Sequence, residues 1–125
     1  MHEARFYESQ AEGRVLCTLC PHDCMIHEGG RGACAVRYNH RGELYTLVYD
    51  KVVAREINPI EKKPFFHFLP GSRAYSVSTV GCNLRCSFCQ NWHISKSREM
   101  DALMDQASPE EIALAAQRLR CTSVA

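Results

Sequence analysis

Hydrophobic and polar positions change texture several times along this chain. Residues 1–16 mix the two with no period, and residues 17–34 are broken by Pro21, Gly29, Gly30 and Gly32, the pattern of a loop-rich knuckle. Ala33 to Tyr38 and Glu43 to Tyr49 read as strands around an Asn39-His40-Arg41-Gly42 turn, which predicts a hairpin beside the knuckle. Val52 to Ile57 adds a third short strand. Asn58-Pro59, Lys63-Pro64 and Pro70-Gly71 then interrupt the chain and argue against a long helix. Between them lies Phe65-Phe66-His67-Phe68-Leu69, a run expected to pack in a core rather than to form a base-stacking platform. A domain boundary is expected near Pro70-Gly71.

Tyr75 to Val80 is rich in β-branched and aromatic residues and reads as a strand running straight into Gly81-Cys82. Residues 98–107 are polar and predict no element. Ser108-Pro109-Glu110-Glu111 is a helix start, with Ser as N-cap, Pro at the first position and Glu at the third. Ile112, Ala115, Ala116 and Leu119 form one apolar face, Arg118 and Arg120 complement the negative end, and Thr122 to Ala125 begins a strand. Strand, loop, helix and strand in this order predict an α/β class.

Composition narrows the functions. Hydrophobic residues make up 46% of the 125-residue chain, enough for a modest core. A formal net charge of +1 gives no electrostatic case for nucleic acid or an anionic membrane as partner. No run approaches the ~18 apolar residues of a membrane span. Met1 to Phe6 contains no apolar signal core, so the reading is a reduced, cytoplasmic protein.

The eight cysteines carry the chemistry. Seven fall into two tight groups: Cys17, Cys20, Cys24 and Cys34, then Cys82, Cys86 and Cys89. Such short gaps suit thiolates converging on one metal centre better than a disulfide framework. The first group offers four thiolates, enough to close a tetrahedral zinc site or to ligate a cubane cluster fully; nothing in the spacing chooses between the metals, and His22 or His27 could replace one ligand. Four unliganded core cysteines is the plainer alternative. The second group, Cys82-x3-Cys86-x2-Cys89, can bind three irons of a cubane and leave the fourth without a protein ligand. Electron-carrying ferredoxins mostly use four cysteines per cubane and leave no open iron. A zinc site completed by His93 is the rival for this triplet, and a non-catalytic zinc-binding module using both groups is the rival for the whole chain.

Gly81-Cys82-Asn83-Leu84-Arg85-Cys86-Ser87-Phe88-Cys89-Gln90-Asn91 resembles the signature of the radical S-adenosylmethionine (SAM) superfamily, in its pyruvate formate-lyase activase-like branch. More widely, Cys17-Thr18-Leu19-Cys20-Pro21-His22-Asp23-Cys24, Gly32-Ala33-Cys34-Ala35-Val36-Arg37, Ile60-Glu61-Lys62-Lys63-Pro64 and His67-Phe68-Leu69-Pro70-Gly71-Ser72 resemble the AmmeMemoRadiSam system radical SAM enzymes. The resemblance implies a partial (βα)6 barrel whose first strand precedes the cysteine loop. It implies a 4Fe-4S cluster on Cys82, Cys86 and Cys89, with SAM chelated at the open iron and Phe88 near its adenine. It also implies reductive cleavage of SAM to a 5′-deoxyadenosyl radical, an electron donor such as a flavodoxin or ferredoxin, and a substrate left open, a protein among the options.

On this reading residues 1–70 are a cysteine-rich metal-binding region with a β-hairpin, and residues 71–125 begin a radical SAM barrel. A full parallel barrel takes roughly 200 residues or more, so the chain is expected to be an N-terminal fragment, inactive alone. The ~50 residues between the cysteine groups and the boundary near Pro70-Gly71 predict two independent sites. Other features are discounted. Cys121 is expected to be a buried core cysteine, and Lys62-Lys63 a solvated pair. Gly29-Gly30-Arg31-Gly32 lacks the strand–helix setting of a phosphate loop.

Overall fold

The computed structural model describes residues 1–96 and 104–125. In chain order the strands are β1 (His2–Glu3), β2 (Tyr7–Ser9), β3 (Val15–Cys17), β4 (Cys24–Ile26), β5 (Arg37–His40), β6 (Glu43–Thr46), β7 (Lys51–Val52), β8 (Ala54–Pro59), β9 (Arg73–Ser78), β10 (Asp105–Gln106) and β11 (Ser123–Val124). The helices are α1 (Trp92–Ser95) and α2 (Pro109–Arg118). They divide into two compact units, Met1–Tyr49 with Val80–Met100, and Asp50–Thr79 with Asp101–Ala125. Both cysteine groups therefore belong to one unit. The Pro70-Gly71 turn lies inside the other, between the paired strands β8 and β9. Of the stretch 98–107, residues 98–103 fall outside the described part.

The first unit carries two three-stranded antiparallel sheets, β1-β6-β5 and β2-β3-β4. The hairpin β5–β6 forms at the predicted turn. His40 pairs with Glu43 across Arg41-Gly42, and both loop residues have positive φ (56° and 80°). That is the two-residue geometry whose twist matches paired strands, and glycine accepts it without steric cost. Buried Asn39 pins this turn. Its Nδ2 donates to the carbonyls of Gly13 and Ile26, each at 2.8 Å, and its Oδ1 accepts from the Gly42 amide at 3.0 Å. Ala4, Val15, Cys17, Ile26 and Leu44 make the core, with Tyr7 and Cys24 packed against it. Arg37, also buried, donates to the carbonyls of Arg5 and Phe6.

In the second unit β8 and β9 pair antiparallel over six residue pairs, from Ala54↔Ser78 to Pro59↔Arg73. The predicted strand at Val52 to Ile57 is split at Val53: β7 pairs with β10, while β8 joins β9. On the other side of β9, β11 pairs parallel, Ser123↔Ala74 and Val124↔Tyr75. A parallel neighbour requires a crossover, and α2 lies on it. The helix starts as predicted: Ser108 Oγ accepts from the Glu111 amide at 3.2 Å, and the Glu111 carboxylate accepts from the Ser108 amide at 2.7 Å. At its other end Arg73 donates to the carbonyl of Leu119 at 2.8 Å, tying the helix terminus to β9. Ala116 is the buried contact of the helix and Leu119 is 39% exposed, so the predicted apolar face is only partly covered. The unit is thus α/β, a mixed sheet with one parallel strand–helix–strand step.

The aromatic run is not core. Phe65, Phe66 and Phe68 are 55%, 61% and 57% exposed. They lie on a loop pinned at its ends, where Glu61 Oε1 accepts the Gly71 amide at 2.7 Å. That bond is the main reason the Glu61 carboxyl is held below its ordinary range. Lys62 stands 3.9 Å from the Glu56 carboxylate and Lys63 donates to Asn58 Oδ1 at 3.3 Å. Cys121 is half-buried rather than buried.

Candidate metal centre

The second cysteine group occupies a closed loop. Its two ends meet where the Gly81 amide donates to the Ile94 carbonyl at 3.0 Å. Lys96 Nζ reaches back to the Leu84 carbonyl at 2.8 Å, bracing the Cys82–Cys86 arm against the turn that follows α1. Cys82 Sγ accepts from the Leu84 amide at 3.4 Å. Cys89 Sγ lies 3.4 Å from Ser95 Oγ. This hydroxyl, the Asn91 backbone and the Lys96 charge hold the Cys89 thiol below its ordinary pKa, against a smaller opposing effect of burial.

Exposure suits the loop to ligation. Cys86 is exposed, and Cys82 and Cys89 are half-buried, so their side chains rotate without disturbing a core. Phe88, one residue before Cys89, is 85% exposed, and Leu84 and Trp92 are also exposed. His93 is exposed and makes an edge contact with Trp92.

The first cysteine group follows from the β3–β4 hairpin. Cys17 and Cys24 are directly opposed across it, and Cys20 lies in its connection beside His22 Nδ1, at 3.9 Å. Cys24 Sγ accepts from the Ala33 amide at 3.5 Å, which brings the chain next to Cys34 over the hairpin. Cys17 is buried in the core, the other three are half-buried, and His22 and His27 are exposed.

All eight cysteines are free thiols. Among the described residues no three Cys, His, Asp or Glu side chains stand close enough together to hold a metal ion. Ligation at either group therefore requires its thiols to turn toward a common centre. The donor sets fit that requirement chemically: three accessible thiols on one braced loop, and four on one hairpin and its overlying turn. Sequence reasoning found the cysteines and Gly81 but missed Ser95 and Lys96, whose partners lie 6 and 12 positions away with no repeating pattern to mark them.

The chain is 44% identical over 124 residues to an uncharacterized protein of Methanocaldococcus jannaschii. The match covers 99% of this chain and 37% of that relative, so the chain spans little more than a third of the curated relative it matches. No family model matches the chain, and no solved structure matches it. Among the described residues no helix is long and apolar enough to cross a membrane.

Proposed function

We propose that this chain is the cluster-binding part of a radical SAM enzyme, working in the reducing cytoplasm. The observation that carries the reading is Cys82-x3-Cys86-x2-Cys89 on a closed loop placed in sequence between β9 and α2, with β11 returning parallel to β9. A strand, a loop at its C-terminal end, a helix and a parallel strand make the repeating step of a (βα) barrel, and such loops carry the chemistry of barrel enzymes. The partial (βα)6 barrel itself is part of the proposal and requires further strands.

Cys82, Cys86 and Cys89 would ligate three irons of a 4Fe-4S cluster. Ser95, the Asn91 backbone and Lys96 favour the thiolate at Cys89 before any iron arrives. Lys96 holds the arm between Cys82 and Cys86. Phe88 offers an uncovered ring to the adenine of SAM. When bound, the cluster supplies the electron that cleaves SAM to a 5′-deoxyadenosyl radical. The first cysteine group would hold zinc or a second iron–sulfur cluster in a closed, non-catalytic site. An electron donor such as a flavodoxin or ferredoxin completes the system, and the substrate class is open.

The test is anaerobic reconstitution with iron and sulfide, followed by electron paramagnetic resonance of the reduced chain with and without SAM. The reading requires a cubane signal that SAM perturbs. Zinc as the sole metal at the Cys82–Cys89 loop would favour the zinc-module alternative.

A further inference from the structure

Gly81 is pressed against the first cysteine group. Its φ is +92°, and a β-carbon built on it would lie 2.5 Å from Val36 Cγ1 and 2.7 Å from the carbonyl oxygen of Cys34. Neither approach is tolerable, and one obstacle is backbone, which cannot rotate away. Gly13, Gly29 and Gly71 also have positive φ, yet a β-carbon there would meet nothing within 4 Å. Backbone conformation alone explains those three glycines; Gly81 additionally serves a close contact.

The surface it touches is well anchored. The Ala35 amide donates to Gly32 O and the Gly32 amide to Arg37 O, both at 2.9 Å, closing the turn that holds Cys34. The Leu47 amide donates to Val36 O at 2.9 Å, and the Ala33 amide donates to Cys24 Sγ. On the loop side, the Gly81 amide is fixed to Ile94. Two cysteine-bearing segments, each tied down by its own hydrogen bonds, thus meet where only hydrogen fits.

We propose that the Cys34–Val36 segment is the seat of the cysteine loop, and that Gly81 is the positioning residue through which the first cysteine group sets the placement of the second. Cys82 follows Gly81 directly, so displacing Gly81 displaces the first ligand of the triplet. Ligand constellations tolerate errors of only about 0.5 Å. The first group thereby acquires a role: what orders Cys24 and Cys34 also orders the loop that ends on Gly81 and Ile94. The functional meaning of this seat rests on the cluster reading above, whereas the contact itself is tested without a cluster.

The experiment compares Gly81→Ala with Gly29→Ala in the full chain, metal-free and reduced. The control imposes a comparable φ penalty in the same unit without a clash. Iodoacetamide alkylation is timed at each cysteine by mass spectrometry, and iron and sulfide are measured after reconstitution. Gly29→Ala should leave the loop thiols at wild-type rates. Gly81→Ala should speed Cys82 and Cys89 about tenfold, the factor given by a local opening made easier by about 1.4 kcal/mol, and should lower cluster content. If Gly81→Ala does not fold, Val36→Ala removes the methyls facing Gly81 without adding bulk, and Cys82 should then react severalfold faster. Loop-thiol rates in Gly81→Ala equal to those in Gly29→Ala overturn the seat; so does an unchanged Cys82 rate in Val36→Ala when only that variant folds. Failure of the cluster reading looks different: wild type takes up no cluster while the alkylation contrast persists.

Discussion

The Cys89 thiol lies 3.4 Å from the Ser95 hydroxyl, six residues further on and across the short helix α1. A hydroxyl that donates to sulfur stabilises the thiolate, and it is the leading cause of the lowered Cys89 pKa. Removing it raises that pKa toward the ordinary thiol value. In the metal-free chain Ser95→Ala should slow alkylation of Cys89 near neutral pH by a factor of a few and move the midpoint of its rate–pH profile upward. Cys86 is the internal reference and should not respond. An unshifted Cys89 profile would show that the hydroxyl does not act on the thiol in solution.

Three ligands are the minimum for a cubane with one open iron, so the loop has none to spare. Cys82→Ala, Cys86→Ala and Cys89→Ala should each abolish the SAM-responsive cluster. Replacing Cys17 and Cys20 together should remove a separate metal while the loop's spectrum persists. Iron, sulfide and zinc per chain, with the reduced spectrum, check all four variants. Survival of the SAM response in any single loop variant rules out the triplet assignment.

Asn39 is fully buried and answers three backbone groups at once. Asn39→Ala leaves two carbonyls and an amide of the first unit without their partner. Chemical denaturation should show a loss of about 2–3 kcal/mol, the usual range for orphaned buried polar groups.

Ser108 closes a reciprocal cap in which both partners are observed. Ser108→Ala should cost about 1 kcal/mol and Ser108→Gly only a few tenths. Because β11 follows α2 and pairs with β9, amide exchange at Ser123 to Ala125 should accelerate in step with exchange in the helix.

Local chemistry explains what the sequence made legible. The Arg41-Gly42 turn and the Ser108 cap are each written in a few consecutive residues and appear in the structure, and the strand expected at Tyr75 to Val80 appears two residues earlier, as β9 at Arg73–Ser78, ending short of Gly81. Pairing partners are not local. Nothing near Ala54 announces that β8 will run antiparallel to β9 rather than extend the first hairpin. Phe65, Phe66 and Phe68 are apolar enough for a core, but a loop held short by Glu61 and Gly71 leaves them outside it. The loop's cysteines stand out by spacing, whereas Ser95 and Lys96 act through folds of the chain that no period records. The gap between the cysteine groups does not show that both fall in one compact unit, which they do because the chain returns to it after Thr79.

That return has a practical consequence. Each unit is assembled from two stretches of chain, and the second stretch of one begins only after the first stretch of the other is complete. No single cut therefore separates the two: any break divides at least one unit, and whichever piece still holds a whole unit also carries a stretch of the other. The cysteine hairpin and the cysteine loop are joined in one chain with a strand pair threaded between them. The two cysteine-bearing stretches can be transplanted, shortened or permuted together only if that intervening pair is carried along or replaced by a linker that joins Tyr49 to Val80.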